Sequence, residues 1–159
     1  MSIFYNYILV TETGTSSYVG YTKNFDRRLR QHRKEITGGA KYTCNLTTRG
    51  ERWVPLVVVT GCPNSTLALQ FEYAQKSKMR KWRQNQVDVL VYRRIQASSL
   101  HHRLKTLLET LHMRTWTKLA KLKVEEIELI FHWSKPPPQE WFDLLPSHLR
   151  HEREYTTDI

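Results

Sequence analysis

Apolar positions fall into two periods along the chain. Residues 3–10 are β-branched and aromatic and predict a strand. Thr11-Glu12-Thr13-Gly14-Thr15 reads as a turn, and Ser16 to Tyr21 as a second strand, paired with the first as an antiparallel hairpin. Gly20, inside that strand, signals a bulge or a close approach of backbone to another group. A short polar helix follows from Phe25 to Glu35, with Asn24 as its N-cap and Asp26 at the positive end of its dipole. Its apolar anchors are Phe25, Leu29 and Ile36; Arg28 and His32, four apart, share one face. After the break Thr37-Gly38-Gly39-Ala40, a polar loop is expected to run to Glu51.

Trp53 to Thr60 is a continuous apolar run, the mark of a strand buried on both faces. A turn at Gly61-Cys62-Pro63-Asn64-Ser65 leads to a helix over about Thr66 to Trp82, with Glu72 in its middle. Residues 84–99 fit either a strand (Val87, Val89, Val91) or a helix. Leu100 to Leu111 is amphipathic and helical. Ile127, Leu129, Phe131 and Trp133 alternate with partners of mainly polar type, as a half-buried strand does, and Pro136-Pro137-Pro138 ends it. The tail carries one apolar cluster, Trp141-Phe142 with Leu144-Leu145, expected to fold back on the core.

The 159 residues suit one domain with an appendage, and 40% apolar composition is enough for a core. No apolar run approaches the ~18 residues of a membrane span, so no membrane partner is expected. No secretory leader is expected either, which points to an intracellular protein. Two cysteines, Cys44 and Cys62, exclude a disulfide scaffold and a thiolate-built zinc module such as a RING. Six of the seven histidines lie beyond residue 100, without cysteines or a tight spacing of acids, so no zinc site is expected there.

Net charge is +10, and its distribution says more. Residues 1–97 hold 16 basic and 6 acidic side chains, whereas residues 98–159 hold 9 of each. A basic part joined to a neutral one points to a polyanion, and nucleic acid is the commonest. Candidates for backbone-phosphate contact are Arg27, Arg30, Arg33 and Lys34 by the first helix, Lys41 and Arg49 in the loop, and Lys76, Lys78, Arg80 and Lys81 on the next helix. The run 76–83 reads equally well as the solvated end of a helix, where basic residues suit the dipole.

Four stretches taken in order resemble the GIY-YIG nuclease superfamily. They are Tyr5-Asn6-Tyr7, then Tyr18-Val19-Gly20, then Arg28 with His32 on a helix, then Glu72 on a helix behind a buried strand. The wording is most similar to structure-specific endonucleases of the Slx-one type. It is carried by Tyr18-Val19-Gly20-Tyr21-Thr22, Arg27-Arg28-Leu29-Arg30-Gln31-His32, Gly38-Gly39-Ala40-Lys41-Tyr42-Thr43 and Phe71-Glu72-Tyr73-Ala74. The resemblance implies an α/β (α+β) fold: a nuclease core over residues 1–83 around a three-stranded antiparallel sheet flanked by helices. A helix–strand extension over 84–135, similar to the family's linker region, and a Pro-initiated tail over 136–159 follow.

The resemblance also implies hydrolysis of one phosphodiester strand with a single divalent metal, Mg²⁺ or Mn²⁺. By it, Tyr7 holds the attacking water or the phosphate, Tyr18 is the general base or its close partner, and Arg28 clamps the phosphate. His32 is an accessory hydrogen-bonding or proton-transfer group, and Glu72 is the metal ligand. Physical chemistry supports these residue types independently. An Arg fork matches two phosphoryl oxygens, one carboxylate plus waters suits a hard dication, and a tyrosine of ordinary pKa near 10 needs a basic site to act as a base. Taken one at a time, the same residues fit ordinary strand tyrosines and solvent-facing helix positions.

The departures are Tyr5 and Asn6, which replace the usual Gly and Ile of the first motif, and the lack of a RING. The RING of the family docks on a scaffold of the Slx-four type; such a scaffold is a possible partner here, and the missing RING puts dependence on it in doubt. A compact version of the family, from a large DNA virus or another compact genome, is expected. The resulting expectation is an endonuclease that nicks branched DNA (flaps, forks, junctions) in repair or recombination, in the nucleus or a viral DNA compartment. The alternatives are a homing or restriction-like enzyme on the same fold, or a catalytically silent DNA-binding scaffold.

Overall fold

The computed structural model describes residues 3–84 and 99–152. The alternative between strand and helix for 84–99 lies almost wholly outside the described residues. Strands β1 (Tyr5–Thr11) and β2 (Ser17–Thr22) form the expected hairpin, and β3 (Trp53–Thr60) pairs antiparallel with β1 on its other side. Helix α1 (Phe25–His32) stops three residues earlier than its polar pattern suggests. Its N-cap is Asn24, whose side chain accepts from the Arg27 N–H at 3.1 Å. Helix α3 (Ser65–Gln84) is likewise capped by Asn64, which accepts from Leu67 N–H at 2.8 Å.

The segment expected to be a polar loop contains helix α2 (Lys41–Thr48). It has no apolar stripe to announce it. It is held from outside: the Trp53 indole donates to the Thr43 carbonyl at 3.0 Å, and Thr47 Oγ1 donates to the His32 carbonyl at 2.8 Å.

Among the described residues the sheet has five strands in the order β2-β1-β3-β4-β5, wider than the three expected for the core. Strand β4 (Ile130–Trp133) comes from the extension and pairs antiparallel with β3. Strand β5 (Arg150–Glu152), in the segment read as a tail, pairs parallel with β4. The alternation Ile127-Leu129-Phe131-Trp133 is buried throughout, although the strand begins only at Ile130, after a 3₁₀ turn at Val124–Glu126.

Both faces of the sheet are covered. Ile8, Val10, Val19, Val57 and Val59 face α3 and helix α4 (Ser99–Leu111), while Tyr7, Leu9, Val58 and Trp53 face Phe25 and Leu29 of α1 and Leu46 of α2. Two-sided burial is why β3 reads as unbroken hydrophobe.

The extension packs into the same core. Phe71 of α3 stacks on Trp116 with centroids 4.5 Å apart, and Arg103 of α4 donates to Ser17 Oγ of β2 at 3.0 Å. The Trp141-Phe142 cluster, on the short helix α5 (Gln139–Phe142), folds back as expected. Both rings meet Trp133 edge-on, and the Trp141 indole donates to the Leu104 carbonyl. Leu144 of that cluster remains exposed. Among the described residues no helix is long and apolar enough to cross a membrane.

Candidate active site

Strands β1 and β2 place Tyr7 and Tyr18 on the same face of the sheet, the one covered by α1 and α2. In the ladder Tyr7 lies opposite Gly20 and Tyr18 opposite Leu9. The two tyrosine rings are 6.4 Å apart. A Cβ on Gly20 would overlap the Tyr7 hydroxyl and its ring carbon. The glycine in the strand is thus the close approach that the sequence signalled, and the group approaching is the Tyr7 phenol.

Tyr7 is buried, and so is His32 beneath it. The Tyr7 hydroxyl and His32 Nε2 are 2.8 Å apart, and His32 Nδ1 lies 2.6 Å from Thr43 Oγ1. Thr43 Oγ1 in turn donates to the Ala40 carbonyl at 3.0 Å. A threonine hydroxyl has one proton, and a carbonyl can only accept it. Thr43 therefore accepts from His32 Nδ1–H, which leaves Nε2 as a lone pair that accepts the Tyr7 proton. The chain runs in one direction, from Tyr7 through His32 and Thr43 to Ala40.

Burial pushes the His32 imidazole down to about 4, with the Arg28 charge adding to the effect, so it is neutral at pH 7. Burial likewise holds the Tyr7 phenol well above the ordinary tyrosine range; the Arg28 guanidinium pulls against that, and Tyr18 and Glu72 add to it. Tyr7 is a protonated donor here. Arg28, half-buried on α1, has its charge reinforced: burial opposes it, but Tyr7 and Tyr18 outweigh burial. Its Nη1 donates to Gln31 Oε1 at 3.1 Å. Tyr18 is half-exposed, its ring 5.0 Å from that of His32.

Glu72 arrives from the opposite face of the sheet. Among the described residues β2 is the sheet edge, and side chains of α3 reach past it. The Glu72 carboxylate lies close enough for its charge to act on Tyr7, and Lys76, one turn on, stands 5.3 Å over the Tyr18 ring. The structure therefore gathers Tyr7, Tyr18, Arg28, His32 and Glu72 around the β1–β2 hairpin.

A family model described as the GIY-YIG catalytic domain matches residues 3–85. The chain belongs to the GIY-YIG family. It is 33% identical over 147 residues to a "Structure-specific endonuclease subunit SLX1 homolog" of Brugia malayi, covering 89% of this chain and 40% of that protein. The protein of the same name from Drosophila ananassae is 33% identical over 112 residues, 70% of this chain and 36% of that one. That of Drosophila melanogaster is 47% identical over 58 residues, 36% of this chain and 18% of that one. The chain thus spans two-fifths or less of the length of these relatives.

Within the GIY-YIG domain, Asn6 has a structural use. Its side chain is buried, donates to the Ala68 carbonyl at 2.8 Å and accepts from the Cys62 thiol, so it ties β1 to the start of α3. Thr43 and Tyr42 are the site residues that sequence reasoning missed. Tyr42 is half-exposed and stacks on Tyr18 with centroids 6.4 Å apart. Both lie in the stretch Gly38–Thr43 that carried the resemblance, which was the available signal.

The basic candidates divide. Arg27, Lys41, Arg49, Arg80 and Lys81 are exposed, and Lys78 is half-exposed. Arg30 lies 3.7 Å from Glu35. Arg33 is half-buried and donates to the Trp53 carbonyl at 2.7 Å, a structural bond that takes its Nε out of reach of DNA. Lys34 donates to Thr48 Oγ1 from a left-handed backbone at φ 60°. Lys76 pairs with Glu72.

The donor set fits one class of metal. Glu72 offers a hard carboxylate oxygen that is partly open to solvent, and among the described residues no three His, Cys, Asp or Glu side chains could hold a metal ion together. One carboxylate suits a cation that keeps most of its waters, as Mg²⁺ does, rather than a zinc centre.

Proposed function

We propose that this chain is an endonuclease that hydrolyses one strand of branched DNA, with Mg²⁺ or Mn²⁺ held at Glu72. The observation that carries the reading is the convergence of two tyrosines, Arg28, a neutral His32 and Glu72 from β1, β2, α1 and α3, in the basic half of a GIY-YIG chain. The branched substrate follows from the relatives' names and is part of the proposal. Those names also say "subunit", so a protein partner belongs to it too.

Each residue has work to do in such a reaction. Arg28 carries a reinforced charge and a planar fork, suited to two phosphoryl oxygens as negative charge gathers on them. Tyr7 donates to His32 and keeps its oxygen lone pairs for a water or for a proton passed along the chain. Tyr18 is the more open of the two phenols and sits beside Arg28 and Lys76, so it is the candidate base. Glu72 would hold a dication that stabilises the oxygen set free on cleavage.

A nicking assay tests the reading. A 5′-flap, a four-way junction and a linear duplex of the same sequence are offered with Mg²⁺, with Mn²⁺ and with EDTA, alongside Arg28→Ala and Glu72→Gln. Metal-dependent nicks in the branched substrates, lost in both variants, are expected. Equal cutting of the linear duplex would favour a homing or restriction-like habit. Binding of DNA without cutting, both by the chain alone and together with the proteins that copurify with it, would overturn the enzyme reading in favour of a silent scaffold.

A further inference from the structure

Lys76 lies four residues after Glu72 on α3, so the two side chains share a helix face. The Lys76 ammonium is 2.6 Å from Glu72 Oε1 and 5.3 Å from the Tyr18 ring centroid. A positive charge therefore already stands on the carboxylate that a divalent cation would need, on the side facing the candidate base. The two partners are not equally fixed. The Glu72 side chain is 18% exposed, whereas that of Lys76 is 41% exposed and ends a flexible four-carbon stem. Pairs this open are weak, so the ammonium can leave at small cost.

An ammonium and a hydrated dication compete for the same oxygen lone pairs. A DNA phosphate arriving beside Arg28 would offer the ammonium a second anion within the reach of its stem. We propose that Lys76 is a removable cation on Glu72. In the free protein it competes with the divalent metal, and when DNA binds it transfers to a backbone phosphate and leaves the carboxylate to the metal. Metal affinity then rises with substrate, and by linkage DNA affinity rises with metal by the same factor. The proposal rests on the nuclease reading above. A plain helix-stabilising pair, the bland alternative, predicts no such coupling.

The test is Mn²⁺ binding to the full chain without DNA, followed by the electron-spin resonance of free Mn²⁺. Lys76→Met should bind Mn²⁺ about three- to tenfold more tightly than the wild type, the scale of releasing one partly exposed ion pair. Lys76→Gln should do the same, and Glu72→Gln placed on top of either should abolish the gain. Lys78→Met removes the same charge two residues away and should change Mn²⁺ affinity less than twofold. With a flap DNA carrying an uncleavable linkage, wild type and Lys76→Met should converge.

Equal Mn²⁺ affinity for Lys76→Met and wild type would overturn the proposal, as would an equal gain from Lys78→Met. Either result in a protein that nicks DNA leaves the nuclease reading standing. A wild type that binds Mn²⁺ through Glu72 and never nicks, alone or with the proteins that copurify with it, overturns that reading instead, while the Lys76 comparison still decides the present proposal. Mn²⁺ binding that ignores Glu72 in every variant overturns both the metal site and the proposal.

Discussion

Tyr7 and Gly20 face each other across the β1–β2 ladder, and the space a Cβ would need at Gly20 is filled by the Tyr7 hydroxyl. The glycine sets where the phenol can stand. Gly20→Ala should push Tyr7 away from His32. We expect nicking to fall about a hundredfold, the scale of a small misplacement at a reacting centre. The overpacking should cost about 1–3 kcal/mol, well below what unfolds a domain of this size. Nicking rates beside a denaturant titration check both numbers; an active Gly20→Ala would show that the position of Tyr7 is not limiting.

Thr43→Val keeps the shape of the side chain and removes the acceptor for His32 Nδ1–H. The orphaned donor is buried, so stability should drop by about 1–3 kcal/mol. The imidazole is also freed to change tautomer, and nicking should fall with it. Thr43→Ser restores the hydroxyl and should recover most of both. Loss of stability with unchanged nicking would make Thr43 a packing residue only.

Arg28→Lys keeps the charge and loses the fork. DNA affinity in EDTA, which follows charge, should change little. The nicking rate should fall about 10²–10³-fold, as when a preorganised donor to a developing oxyanion is removed. Gel-shift and single-turnover rates measured together separate the two. Parallel losses in both would mean that Arg28 only anchors DNA.

His32 imposes a pH dependence on stability. Its folded-state value near 4 lies below the ordinary 6.5. Between those two values the unfolded chain binds a proton that the folded chain does not, so stability rises with pH across that window. The contribution is complete above about pH 6.5 and is lost as pH falls toward 4; it amounts to about 3 kcal/mol at most. Thermal melts of wild type and His32→Gln from pH 4 to 7 should show a steeper acid-side loss in the wild type. Parallel curves would mean that His32 is not held neutral by burial.

Much of this arrangement was legible in the sequence because it obeys local rules. Asn24 and Asn64 mark helix starts with side chains that cap. The unbroken run in β3 reports burial on both faces, and the spacing of Arg28 and His32 puts them on one side of α1. What was not legible depends on distant partners. Helix α2 is mostly polar and rich in threonine, and its stability comes from bonds to Trp53 and His32 rather than from its own pattern. Strand β5 is Arg-His-Glu, three residues that nothing would assign to a sheet except an open edge on β4. Thr43 carries no signature of chemistry; its role exists only because His32 lies above it.

The stack of Phe71 on Trp116 bears on how such an enzyme can be transplanted between proteins. All five candidate residues lie before residue 85, so the chemistry looks like a short cassette. The helix that carries Glu72 nonetheless presents its adjacent aromatic, Phe71, to Trp116, well beyond that boundary, and Arg103 reaches back to the hairpin that carries Tyr18. The stretch that reacts is shorter than the stretch that must fold. A graft that moved only the reacting part to a new host would arrive with the helix of Glu72 still seated on the sheet but stripped of the cover that Trp116 and α4 give its other side.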